Sequence, residues 1–243
     1  MRKFIDLHLI PQFGNFEKVN AIIKKAAELG YYGVGLTLTP QSHKNYLSNL
    51  KKACKREGLD LITRVDLKPG DVRELLKELR AVRRRFEIIA VKCHSKSVAR
   101  QAAKDRRVDI LNFPSNDLKR RFFDKAEAEL ASNVNASLEI DMTPLITCTT
   151  RHMVNLLDKL RREVEIAKKF DVKIIISSGA SNPNLMRAPR DYVSLASLFD
   201  LERDSAIKAL SDNPLMIIEE NRMKLSKNFI APGLYLIKRG KDD

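Results

Sequence analysis

The chain has no tryptophan, and its five tyrosines and ten phenylalanines amount to only 6% aromatic residues. Flat rings for stacking nucleobases are therefore scarce. The three cysteines, Cys54, Cys93 and Cys148, are odd in number and far apart. That excludes a disulfide framework and a zinc-finger spacing, and predicts thiols kept reduced in a cytoplasm. There are only four histidines, and none falls in H-x-H or H-E-x-x-H, so the compact metal-binding motifs are missing. No apolar run approaches the ~20 residues a bilayer span needs. The opening MRKFIDLHLIPQ is interrupted at Asp6 and His8, unlike a signal peptide. The expectation is a cytoplasmic protein with no membrane partner. Acid is in deficit as well: 45 Lys and Arg against 31 Asp and Glu leave a net charge of +14.

That excess is concentrated. Residues 51–107 hold 18 Lys and Arg against 8 Asp and Glu, so +10 lies in this stretch. A charge gathered this way favours a polyanionic partner, and nucleic acid ahead of a membrane because no basic amphipathic anchor is present. A solvated surface rich in lysine and arginine is the competing explanation.

Short apolar, β-branched runs alternate with segments of 3.6-residue periodicity along the chain. Strands are expected at 3–9, 33–39, 59–67, 88–93, 108–113, 136–142 and 172–176. Helices are expected at 16–29, 43–56, 72–85, about 95–104, 118–131 and 149–170, then at 193–198, 203–210 and 214–225. Strands and helices alternating every 20–30 residues imply right-handed βαβ units and a parallel sheet. Seven such units predict a TIM-barrel-like α/β fold, a (β/α)7–8 parallel barrel with extra C-terminal helices. A doubly wound open sheet is the alternative, weakened because no G-x-G-x-x-G follows the first strand. The barrel domain would span residues 1–225. Residues 226–243 would form a tail that is disordered, a partner contact or an eighth strand.

The stretch KIIISSGASNPNLMRAPRDY, Lys173 to Tyr192, is the most informative. A buried strand ends in Ser177-Ser178-Gly179, and about fifteen residues then precede the next helical pattern, a length usually functional or disordered. Pro189 stiffens the backbone between Arg187 and Arg190, which suits both guanidiniums to an anion. A local Arg190–Asp191 pair is the plainer reading.

Barrel active sites lie at strand C-termini. Asp6, His8, His43, Arg64, Asp66, Lys92, His94, Asn112, Glu139, Asp141 and Ser177 all fall at or near such positions. One reading is an internal network in which Glu139 and Asp141 neutralise Arg64 and Lys92. The other turns Arg64 and Lys92 outward to phosphate. A metal held by His8, His43 and His94 with nearby carboxylates is a third. Lys96, the Arg106–Arg107 pair, and Lys119 and Arg120 beside Arg121 are further candidate phosphate contacts. The last group sits at the start of a predicted helix, where the macrodipole does not favour cations.

Several segments together resemble the archaeal ribonuclease P protein component 3 family, which has homologues among eukaryotic RNase P subunits. They are FIDLHLI, KDRRVDILNFPSN, ASLEIDMTPL and, most specifically, SSGASNPNLMRAPRDYVSLASLFDLERDSAIKALSDNP. The resemblance spans about residues 3–225. It implies a relative of the polymerase-and-histidinol-phosphatase (PHP) metal enzymes, which place H-x-H after their first strand and Asp-x-His late in the chain. Here Ile10 replaces the second histidine of the first pattern, and Ser178-Gly179-Ala180 holds neither an acid nor a histidine. The resemblance thus implies an RNA-binding subunit of an endoribonuclease whose RNA removes the 5′ leader from precursor tRNA. It implies no catalytic residue, no cofactor and no metal on this chain. The implied partners are the RNase P RNA, a small ferredoxin-like protein subunit, other RNase P proteins, and precursor tRNA within the holoenzyme. The expected RNA contacts are Arg64, Lys92, Lys96, Arg106, Arg107, Lys119, Arg120, Arg187 and Arg190. The alternative is a divergent PHP-type phosphoesterase using Asp6, His8, His43, His94 and Glu139.

Overall fold

Apolar runs separated by polar helix caps set the chain path, as seen in a computed structural model that describes residues 2–12, 14–42, 44–231 and 234–235. Seven parallel strands form one sheet: β1 (Ile5–Leu9), β2 (Gly33–Leu38), β3 (Asp60–Leu67), β4 (Ile88–Lys92), β5 (Ile110–Asn112), β6 (Ser137–Asp141) and β7 (Ile174–Ser177). Their spatial order is their sequence order. That rules out the doubly wound alternative, whose strand order must reverse. The sheet curls until its edges meet: Leu9 bridges Ala180, and the Ile10 N–H donates to the Ala180 carbonyl at 2.8 Å. The result is a nearly closed TIM-like barrel.

Helices α1 (Phe16–Glu28), α2 (Lys44–Arg56), α3 (Val72–Val82), α4 (Lys96–Lys104) and α5 (Lys125–Val134) follow the first, second, third, fourth and fifth strands. Four of these starts have a chemical reason in a capping side chain, Asp124 in the case of α5. The Asn15 side chain accepts from Lys18 N–H, Asp71 from Glu74 N–H, and Ser95 from Val98 N–H. Val19, Ile22, Ile23 and Ala26 supply the buried face of α1, the face expected from their spacing.

Two expectations are corrected around the loops. The helix expected at 118–131 is instead a single 3₁₀ turn, Leu118–Arg120, followed by an extended link and α5. Asp124 explains the break: with Glu127 it forms a capping box, a stronger start signal than the polar residues before it. After β6 the chain forms α6 (Thr143–Thr147) and α7 (Thr150–Lys169). The long loop after β7 is shorter than expected, because Pro183–Leu185 forms a 3₁₀ turn and Pro189 opens α8 (Pro189–Ala196). Pro189 thus starts a helix at the position where its missing N–H costs nothing.

Two apolar layers hold the barrel. The larger lies between sheet and outer helices. The smaller fills the interior with Ile5, Leu7, Ile62, Ile88, Ile110 and Ile175, and is closed at the strands' N-terminal end by Ile217 and Ile218. Those two belong to α10 (Asp212–Leu225), which follows α9 (Arg203–Leu210). The Asn221 side chain pins α10 there, donating to the Glu87 carbonyl and to Asp109, each at 2.8 Å. Beyond α10, β8 (Phe229–Ala231) pairs with β9 (Leu234–Tyr235) in a separate antiparallel sheet, so this segment is not an eighth barrel strand.

Candidate functional site: the polar mouth of the barrel

The α10 plug leaves the C-terminal ends of the strands as the open mouth. Alternation along each strand sends every second side chain inward. On β3 these are Ile62, Arg64 and Asp66; on β4 Ile88, Ala90 and Lys92; on β6 Ser137, Glu139 and Asp141. The lower interior is therefore apolar and the upper interior charged. Register aligns the charged layer, with Lys92 beside Asn112, Asn112 beside Glu139, and Asp141 beside Ser177.

Strict alternation would turn His8 away from the interior, since Leu7 already points in. An irregularity in the β1–β2 pairing between Asp6 and Leu9 inserts one extra residue on β1. Such a bulge re-aims a side chain, and His8 joins the charged layer. Gly35 makes room for this path: a Cβ there would lie 2.3 Å from the Leu7 carbonyl oxygen.

Arg64 is the centre of the layer and has no solvent exposure. Its Nη1 and Nη2 donate to the two Glu139 oxygens, each at 2.6 Å, and Nε donates to Asp66 at 2.6 Å. Nη1 also reaches the Leu7 carbonyl at 3.0 Å. Asn112 donates to Glu139 and Asp141, and the Ser177 hydroxyl to Glu139. His8 is clamped, with Nδ1 2.6 Å from Asp141 and Nε2 3.1 Å from Asp66. Lys92 Nζ lies 3.1 Å from both Asp66 and the Asn112 amide oxygen.

The electrostatics are mutually consistent. Burial and the Arg64 guanidinium press the His8 pKa down, but Asp141, opposed by Lys92 and seconded by Asp66, leaves it raised above 6.5. Burial pushes Asp66 upward, yet Arg64, His8 and Lys92 hold it well below the carboxylate range. Asp141 and Glu139 are likewise lowered against their burial, the first chiefly by His8 and the second chiefly by Arg64. With His8 protonated, three carboxylates meet three cations, and the layer is neutral. Asp6 stands apart: burial raises it to about 6, partly offset by hydrogen bonds from Ser178. It accepts from the N–H groups of His8 and Ser178, and so joins β1 to the end of β7.

This arrangement corrects one expected phosphate contact. Arg64 is walled in and each of its three nitrogens already donates to a buried oxygen, so the internal network is the reading that holds for it. It also disfavours the metal alternative. His8, Glu139 and Asp141 offer ligand atoms within 4.8 Å of one another. However, both Glu139 oxygens accept from a guanidinium, both His8 nitrogens face carboxylates, and Lys92 stands beside Asp66. A divalent ion would have to enter among fixed cations, and the donor set does not fit one. His94 is exposed and does not belong to this group of ligand atoms, and His43 lies outside the described residues.

Around this neutral centre the rim is basic. His94 has its pKa lowered by partial burial and then by the positive charges of Arg120, Lys92 and Lys68. Lys96 at the start of α4 is 63% exposed and 3.5 Å from Asp124. Lys119 is exposed, and Arg120 lies 3.3 Å from Asp117. Arg121 is instead buried, donating to Glu163 at 2.6 Å. Arg187 is half-buried and donates to the carbonyls of Asn184 and Met186 in its own loop. Arg190 is exposed on the barrel's outer side. Arg106 and Arg107 precede β5 and thus stand at the opposite end; Arg106 is exposed and Arg107 pairs with Asp105 at 2.6 Å. The mouth therefore gathers Lys92, Lys96, Lys119 and Arg120, but not the Arg106–Arg107 pair. It also includes Lys68, a lone cation that no motif marks, although it directly follows the end of β3.

Known proteins resemble this chain over nearly its whole length. The profile of a family described as RNase P subunit p30 matches residues 3–226. Ribonuclease P protein component 3 of Methanosarcina barkeri is 30% identical, over 98% of this chain and 97% of that protein. The protein of the same name from Methanococcoides burtonii is 29% identical, over 98% and 95%. A chain in the cryo-EM structure of archaeal ribonuclease P with mature tRNA superposes with a TM-score of 0.83 at 24% identity, covering 98% of this chain and 100% of that one. Campylobacter jejuni dihydroorotase shares the fold more distantly, with a TM-score of 0.55 at 16% identity.

Proposed function

Because the chain belongs to the RNase P subunit p30 family, we propose that it is an RNA-binding protein subunit of ribonuclease P, supporting the catalytic RNA that removes the 5′ leader from precursor tRNA. The observation that carries this reading is the contrast at the mouth. The carboxylates of the inner layer are consumed internally and the rim's Asp117 and Asp124 are paired with Arg120 and Lys96, while Lys68, Lys96, Lys119 and Arg120 are exposed above the layer. A sugar-phosphate backbone meets cations at such a surface without meeting uncompensated acid, and releases its counterions on binding. With few aromatic rings available, recognition rests on phosphate position and RNA shape more than on base stacking.

The partners that follow are the RNase P RNA, a small ferredoxin-like subunit with the other RNase P proteins, and precursor tRNA in the assembled particle. We place this work in the cytoplasm, and read residues 1–225 as the barrel domain and 226–243 as a tail. The test is reconstitution with the cognate RNA and the remaining protein subunits. Replacing Lys68, Lys96, Lys119 and Arg120 with alanine should weaken binding of the RNA and lower precursor-tRNA cleavage at fixed salt. Unchanged affinity and cleavage would remove the mouth as the RNA surface.

A further inference from the structure

A second basic face lies on the barrel's flank, well away from the mouth. There the turn after α1, the chain entering β1, α8 and α9 enclose an open groove of about 1170 Å³. Its floor is apolar, with Phe4, Leu29, Val193 and Ile207 all half-buried along it. Three exposed arginines border that floor: Arg2, Arg190 and Arg203. Among the described residues no carboxylate lines the groove and none of the three arginines forms an ion pair.

These two properties together discriminate between occupants. A nucleic-acid strand would bring phosphates to the arginines, but its sugars and phosphates gain nothing from aliphatic side chains. A protein segment with apolar side chains flanked by aspartate or glutamate satisfies the floor and the rim at once. Arginine beside an apolar floor is also a composition enriched at protein interfaces.

We infer that this groove docks another protein subunit of the particle, through a segment carrying apolar side chains between carboxylates. The inference rests on the RNase P reading for the identity of the partner, and the two are tested by separate measurements. Binding of the whole chain to each purified RNase P protein subunit is measured by calorimetry without RNA. Binding to the RNase P RNA is measured in parallel. The variant R2E/R203E should bind one subunit at least tenfold more weakly and bind the RNA as the wild type does. Equal subunit binding by variant and wild type overturns the inference, and so does a loss confined to RNA binding. If no subunit binds the wild-type chain the inference also fails, while the RNA measurement still decides the RNase P reading. Should the variant misfold by circular dichroism, a benzoylphenylalanine photo-crosslinker placed at Ile207 in the assembled particle gives a second readout. A crosslink to a protein peptide rich in apolar and acidic residues is expected; a crosslink to RNA, or none, overturns the proposal.

Discussion

Arg64 is a large cation with no solvent contact, and three of its hydrogen bonds end on two carboxylates. Removing it leaves Glu139 and Asp66 buried with too little positive charge. Arg64→Ala should therefore lower the unfolding free energy by ~3–5 kcal/mol, the cost typical of breaking a buried pair. Urea denaturation measures this, and a drop below ~1 kcal/mol would mean that water reaches the layer and compensates. His8 gives a pH signature of definite sign. Its pKa is raised above 6.5 in the folded chain, so the folded state holds the proton more tightly than the unfolded one. The stabilisation is complete below pH 6.5 and is lost as pH rises through the folded-state value. Wild type should accordingly lead His8→Gln most near pH 6, with the lead shrinking toward pH 9. A lead that grows with pH would show that His8 is neutral between its two carboxylates. Asp6, raised to about 6, works in the same direction between about pH 4 and 6, so the comparison is best made above that window.

At the scale of elements, the strands and most helix limits were legible because each strand is a concentrated apolar run and several helices start on a capping side chain. Asp71 and Ser95 cap helices that start within a residue of the limits expected at 72 and about 95. What stayed hidden depended on pairing between distant segments. Nothing in IDLHL announces that β1 carries an extra residue against β2, yet that bulge decides whether His8 points in or out. The helix expected at 118–131 failed for a local reason, since Asp124 competes with Asp117 as a cap and wins with the help of Glu127. Gly35 shows how tightly the bulge constrains its neighbour. A methyl group there would meet the Leu7 carbonyl oxygen, a backbone atom that also accepts from Arg64. Gly35→Ala should cost about 1–3 kcal/mol, as overpacking of a filled interior does. It should also displace His8 from Asp141, visible as a change in the His8 ring resonances. Wild-type stability and an unchanged His8 spectrum would show that β1 can shift without disturbing the layer.

For the whole molecule, the net charge of +14 has to be divided between inside and outside. The interior layer sums to zero with His8 protonated, so it adds nothing to the field around the protein. The excess is carried by the outer surface, and the fold sorts it by end. Lys68, Lys96, Lys119 and Arg120 follow strands or begin the segments after them, so they gather at the mouth. Arg106 and Arg107 precede β5, at the end closed by α10. Sequence position could reveal which strand each cation neighbours, but only the direction of the strand tells which end it occupies. The salt dependence of RNA affinity separates these groups, because the slope of log K against log salt falls by about one for every phosphate that is no longer neutralised. Replacing the four mouth cations with alanine should flatten the slope by roughly two to four. Arg107 is already paired with Asp105, so R106A/R107A should change it by roughly one at most. A larger effect from the Arg106–Arg107 pair than from the mouth would mean that the RNA lies against the α10 end, with the neutral layer facing away from it.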